Sequence, residues 1–253
     1  MLQSLGWAAL GTGFTFLMTT LGAAMVFFFA GEPRPHFQKT LLGFAAGVMT
    51  AASVWSLLLP AIDRAAEEAL PDWLPAAGGM LLGVVFLSAL DALLPHLRRD
   101  RARQDASWRP PTLLMTAITL HNVPEGMAVG LAFALASGGE GFAGAAALAM
   151  GIGIQNFPEG AAVALPLRQG GWSRPRAFAG GMLSGAVEPV FGVLAALAAA
   201  GVDPLMPWLL SFAAGAMLYV VVEELIPQAH SRAGTCGFVL GFLVMMVLDV
   251  ALG

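Results

Sequence analysis

Eight apolar stretches run through the sequence, near 4–30, 38–62, 73–95, 112–136, 141–167, 177–200, 204–228 and 234–252. Each holds about the 20 residues that a helix needs to cross a bilayer. Short polar connections carrying turn formers separate them: Glu32-Pro33-Arg34-Pro35, Leu70-Pro71-Asp72, Ser137-Gly138-Gly139 and Val202-Asp203-Pro204. The pattern predicts an all-α polytopic membrane protein with eight transmembrane helices, folded as a single transmembrane domain over 1–253. No connection is long or polar enough for a second, soluble domain. The longest, a cytoplasmic loop at about 97–111, is basic and contains Arg98, Arg99, Arg101, Arg103 and Arg109. No Lys or Arg precedes Arg34, so the first stretch lacks the basic flank of a cleaved signal peptide and reads as the first span.

Composition agrees. Hydrophobic residues make up 58% of the 253, and charged residues 11%, against roughly 25% charged in soluble domains. A mean hydropathy of +0.77 leaves too little polar sequence to cover a water-soluble globule, so the solvent for most of the chain is lipid. The net charge of −4 gives no reason to expect a nucleic-acid partner, and the one cysteine, Cys236, excludes an internal disulfide and a cysteine metal site.

Positive charges set the expected orientation. With the N-terminus outside, the inner loops hold eleven of the twelve Lys plus Arg, and only Arg64 falls outside. Both termini are therefore expected in the periplasm, with the chain multi-pass in the inner membrane.

Two repeats are visible. Phe44-Ala45-Ala46-Gly47-Val48-Met49 in span 2 returns as Phe212-Ala213-Ala214-Gly215-Ala216-Met217 in span 7, with five of six positions matching. By the charge count the two spans run in opposite directions, which is the mark of an inverted-repeat transporter. In span 4, His121-Asn122-Val123-Pro124-Glu125-Gly126 is matched by Gln155-Asn156-Phe157-Pro158-Glu159-Gly160 in span 5. Within each motif the first residue and the glutamate are four apart and share a helical face. Each proline removes a backbone hydrogen bond and loosens the carbonyl four residues back, at Leu120 and Ile154.

Seven of the sixteen acidic residues lie within or at the ends of spans: Asp91, Glu125, Glu159, Glu188, Glu223, Glu224 and Asp249. No Lys or Arg lies deep in any span to pair with them. Burying a charge at mid-bilayer costs at least about 2.5–3.5 kcal/mol on insertion scales, so these groups need a cation or a proton from solution. One imidazole with carboxylates and carboxamides suits zinc, and also iron, cobalt, manganese or cadmium, and disfavours Cu(I). Glu188, in Ser184-Gly185-Ala186-Val187-Glu188-Pro189, adds a third mid-membrane carboxylate. Met49 is a thioether candidate, though core packing explains a single methionine in so apolar a chain as well. Ser56 and the pair Glu223-Glu224 are candidates for lining an entry or exit path, as are Asp91 and Asp249. His36, His96 and His230 sit near span ends and read as interfacial.

These residues resemble the ZIP (Zrt/Irt-like) divalent metal transporters, in their bacterial GufA-like branch. The resemblance spans the chain and is carried most specifically by the paired Asn-x-Pro-Glu-Gly motifs. It implies inverted repeats of helices 1–3 and 6–8 around central helices 4 and 5, and transport of a divalent cation, zinc above all, into the cytoplasm. It implies that His121, Asn122, Glu125, Gln155, Asn156, Glu159 and Glu188 form a binuclear metal centre on helices 4, 5 and 6, joined by Met49. It also implies a homodimer and an elevator-like motion of spans 1, 4, 5 and 6. Bacterial relatives often carry Asp where this chain has Asn156, which leaves the second metal position one charge short. Without the resemblance, a cation channel or a proton-coupled carrier of another solute remains open. An intramembrane metalloprotease is disfavoured: there is no His-Glu-x-x-His, and one histidine in mid-membrane is a poor catalytic zinc site.

Overall fold

A computed structural model of the chain describes residues 2–28, 35–66, 71, 73–102, 110–136, 141–199 and 203–252. Glu32-Pro33-Arg34, Leu70, Asp72, Ser137-Gly138-Gly139 and Val202 lie outside the described residues, as do the side chains of His121, Asp91 and His96. All regular structure among the described residues is helical.

The eight spans are present. Span 1 is Leu2–Ala24 and ends in a 3-10 turn, Met25–Phe27. Span 2 runs Pro35–Ala52, passes through a π-helical stretch at Ser53–Leu58, and finishes as Leu59–Ala65. Span 3 is Trp73–Ala102, span 4 Pro110–Leu135 and span 5 Phe142–Gln169. Span 6 is broken at Ala186 into Arg174–Gly185 and Val187–Ala199. Span 7 opens with a 3-10 turn, Asp203–Leu205, and runs Met206–Val220, a π-helical stretch Val221–Leu225, and Ile226–Ala229. Span 8 is Arg232–Leu252.

One boundary needs correction. The expected loop 97–111 is shorter, because helix takes its first residues up to Ala102 and resumes at Pro110. Apolar content ends near Leu97, and the helix carries on through the charged residues that follow to Ala102.

Among the described residues, six helices are long and apolar enough to cross a membrane. The remaining two, spans 4 and 5, carry the Asn-x-Pro-Glu-Gly motifs. Large apolar side chains cover the outside, among them Leu10, Phe28, Leu81, Val190, Leu240 and Val250, while threonines, carboxamides and carboxylates are buried inside. This is the distribution that a lipid solvent selects.

The pairing of spans reveals the symmetry. The most extensive contacts join spans 1–5, 4–6, 2–8 and 3–7. Exchanging 1 with 6, 2 with 7, 3 with 8 and 4 with 5 turns pair 1–5 into pair 6–4, and pair 2–8 into pair 7–3. The exchange also holds at single contacts. A Cβ at Gly47 would overlap the carbonyl oxygen of Phe238, and one at Gly215 that of Met80. Gly241 lies on the carbonyl of Phe44, as Gly83 lies on that of Phe212. In each case span 2 maps on span 7 by a shift of 168, and span 3 on span 8 by 158. Glycine is needed here because the backbones touch.

The π-helical stretches begin in the same register, Ser53 and Val221. Pro60 and Pro227 explain them: a proline cannot give its i→i−4 bond, and the ladder before it widens to i→i−5, as in Leu59 N–H to Val54 and Ile226 N–H to Val221. Pro124 and Pro158, by contrast, sit inside continuous α-helix.

Candidate metal site

Spans 1, 4, 5 and 6 close on one another through small residues. A Cβ at Gly126 would strike the backbone of Glu188, one at Gly160 the carbonyl of Thr19, and one at Gly185 the Thr19 side chain. These approaches bring the two central motifs and Glu188 together at the middle of the bundle.

Asn122, Glu125, Gln155, Asn156 and Glu188 are wholly buried, and Glu159 is 3% exposed. No Lys or Arg is buried among the described residues. The three carboxylates lie close enough to feel one another's charge.

The hydrogen bonds follow the same exchange of spans. Asn122 Nδ2 donates to the carbonyl of Ser184 in span 6 at 2.9 Å. Asn156 Nδ2 lies 3.4 Å from the carbonyl of Thr15 in span 1. Shifts of 34 between the central helices and 169 between spans 1 and 6 carry one contact onto the other. Ser184 is free to accept because the helix breaks at Ala186, two residues before Glu188.

The symmetry fails at two places. Thr19 in span 1 is the counterpart of Glu188 in span 6, and the two meet: Thr19 Oγ1 lies 3.3 Å from Glu188 Oε1. Asn156 Nδ2 also donates to Glu188 Oε2 at 2.8 Å. In span 5, Gln155 Nε2 donates to Glu125 Oε1 of span 4 at 2.5 Å. The exchange maps that pair onto the positions of His121 and Glu159, where an imidazole stands for the carboxamide.

Each amide nitrogen of Asn122, Gln155 and Asn156 has a protein acceptor. Their oxygens have no such partner: Asn122 Oδ1, Gln155 Oε1 and Asn156 Oδ1 are buried without a hydrogen bond, as is Glu125 Oε2. Buried polar atoms normally find partners. Among the described residues at the site, four acceptor oxygens lack a partner while every amide nitrogen has one, a set that a cation satisfies and an anion does not. Among the described residues no three His, Cys, Asp or Glu side chains close on one point as a metal cage. The oxygen set at the site includes carboxamides.

The other candidates fall elsewhere. Met49 is fully buried in the main apolar cluster, which also contains Leu148, Ile152 and Met217. Ser56 Oγ donates to Asp249 Oδ1 at 2.5 Å, joining spans 2 and 8 beside a cavity of about 380 Å³ that Trp55, Pro60 and Asp63 also line. The shifts of 168 and 158 carry Ser56 and Asp249 onto Glu224 and Asp91. Four residues that look unrelated in sequence thus occupy two equivalent pairs of positions. Glu223 and His230 are exposed, and Glu224 is partly buried.

Sequence reasoning missed Thr15, Thr19 and Ser184. The threonine run Thr12, Thr15, Thr19, spaced at helical intervals in an apolar span, was the available signal; all three are buried.

Comparisons with known proteins converge. The profile of the family described as ZIP Zinc transporter matches residues 111–249. Zinc transporter ZIP11 of Homo sapiens is 38% identical over 97% of both chains. Zinc transporter GufA of Myxococcus xanthus is 39% identical over 93% of this chain and 94% of its own. Zinc transporter ZIPB of Bordetella bronchiseptica is 38% identical over 98% of this chain and 82% of its own.

Proposed function

We propose, because the chain belongs to the ZIP zinc transporter family, that it carries zinc across the inner membrane into the cytoplasm through the buried oxygen cluster of spans 4, 5 and 6. The carrying observation is the set of unmatched buried acceptors, with no Lys or Arg buried among the described residues. His121, Asn122, Glu125, Gln155, Asn156, Glu159 and Glu188 surround the ion's place, and Glu125 and Glu159 face each other across the pseudo-twofold axis. Met49 closes the site from span 2 when the bundle shifts. Iron, cadmium, cobalt and manganese are acceptable to the same ligand types and compete with zinc.

Spans 1, 4, 5 and 6 move as one body against spans 2, 3, 7 and 8. The whole chain acts as one transmembrane domain and forms a homodimer. Ser56 and Asp249 line the mouth on one side; Asp91, Glu224 and Glu223 line the other.

The test is uptake of radioactive zinc into proteoliposomes, with other divalent ions as competitors. Saturable uptake that His121→Ala abolishes is the expected result. Normal uptake by properly inserted His121→Ala protein removes the central site from the mechanism. Non-saturating flux would mark a channel.

The orientation, with both termini in the periplasm, has its own check. With Cys236 replaced, a cysteine at Arg101 should react with an impermeant thiol reagent only after the membrane is opened, and one at Gly139 in intact spheroplasts. Labelling of position 101 from outside would reverse the topology.

A further inference from the structure

The two halves of the cluster differ in how their carboxylates are satisfied. Glu125 receives one donor, from Gln155, and keeps Oε2 unmatched. Glu188 has donors at both oxygens. Oε2 takes the Asn156 amide. Oε1 lies 3.3 Å from the Thr19 hydroxyl, which is equally far from the Thr15 carbonyl.

Asn156 can point only one way. Its Nδ2 sits between two acceptors, the Glu188 carboxylate and the Thr15 carbonyl. Turning the amide over would place its oxygen against both. The amide therefore occupies the place beside Glu188 where a cation would sit, and it ties spans 1, 5 and 6 together without metal.

We propose that this chain holds a single zinc ion in its central site, on the Glu125–Glu159 side, and that the Asn156 amide takes the place of a second ion beside Glu188. The inference rests on the proposed zinc site. A second ion would have to displace the amide from Glu188, and Asn156 would lose both of its acceptors. Charge points the same way. Two divalent ions bring four positive charges against the three carboxylates Glu125, Glu159 and Glu188 in a medium of low dielectric constant. Aspartate at 156 supplies the fourth. It also faces Glu188 with like charge, an arrangement that only a proton or a cation between them relieves.

The experiment counts tightly held zinc in the purified full-length protein by equilibrium dialysis against a competing chelator, followed by elemental analysis. The expected counts are one per chain for wild type, two for Asn156→Asp and none for Glu125→Gln. Thermal melting without metal provides a second readout, in which Asn156→Asp melts below wild type and gains more from added zinc than wild type does. Two tight equivalents in wild type overturn the inference while leaving the zinc site standing. An Asn156→Asp protein with one equivalent and no added response to zinc also overturns it. No tight zinc in wild type overturns both this inference and the zinc site beneath it. If Asn156→Asp cannot be purified, the wild-type count alone decides.

Discussion

The frame of spans 2, 3, 7 and 8 keeps its internal symmetry where the bundle of spans 1, 4, 5 and 6 gives it up. In the frame, Gly47 and Gly215, and likewise Gly83 and Gly241, repeat the same backbone contact in both halves. The residues packed there are apolar: Ala45, Ala46, Val48 and Met49 in one half, Ala213, Ala214, Ala216 and Met217 in the other. In the bundle the clasp made by Asn122 on Ser184 is repeated by Asn156 on Thr15. Beside those clasps the copies diverge: threonine against glutamate at 19 and 188, histidine against glutamine at 121 and 155. A doubled architecture supplies two surfaces that can slide past one another. Chemistry requires a site with one preferred occupant, and it is built from the positions where the copies no longer match.

The strongest way to break this comparison is to remove one mismatched group of the bundle, His121, and one carboxylate of the paired motif, Glu159. His121→Ala and Glu159→Gln should each lower zinc uptake by more than about 100-fold, beyond the losses typical of supporting residues around a metal. Both proteins should insert and melt close to wild type. Glu67→Gln, in a connection, is the control and should transport normally. If the two site variants transport at wild-type rates, chemistry does not reside where the symmetry fails.

The frame should respond in the opposite way. Gly47→Ala places a methyl against the carbonyl of Phe238. Overpacking of this kind costs about 1–3 kcal/mol. The melting temperature should fall, and the zinc affinity of the protein that remains folded should stay near wild type. A loss of affinity without a loss of stability would mean that the frame shapes the site directly.

Much of this division was legible in the residues. The apolar runs marked the eight helices, though span 3 runs past its expected end to Ala102, because a bilayer imposes a length that sequence cannot disguise. The Phe-Ala-Ala-Gly repeat gave the 2-to-7 correspondence, and the paired Asn-x-Pro-Glu-Gly motifs gave the 4-to-5 one. Two things were not legible. The first was which spans touch, since lipid-facing and protein-facing stretches are equally apolar; the hydrophobic pattern that orients a helix in water is silent here. The second was the use of the carboxamides. Asn122 and Asn156 read as ligands, but their N–H groups clasp neighbouring spans and only their oxygens remain for a cation. That depends on the break in span 6 at Ala186 and on the acceptors at Thr15 and Glu188, which lie far away in sequence.

The smallest expected effect tests a place where the frame carries polar chemistry. Asp249 is 8% exposed, accepts a hydrogen bond from Ser56, and keeps Oδ2 unmatched beside the cavity. A carboxylate at the rim of a water-filled path raises the local concentration of a cation without fixing it. Asp249→Asn should therefore raise the zinc concentration needed for half-maximal uptake several-fold and leave the maximal rate nearly unchanged. Ser56→Ala should do less, about twofold or threefold, since it removes one hydrogen bond worth about 1 kcal/mol from the group that holds the charge. Raised ionic strength should narrow the gap between Asp249→Asn and wild type, because screening weakens long-range attraction in both. The central variants should show no such narrowing. If Asp249→Asn instead abolishes the maximal rate as Glu159→Gln does, the frame takes part in the chemistry of transport, and the division between a symmetric frame and an asymmetric bundle must be redrawn through span 8.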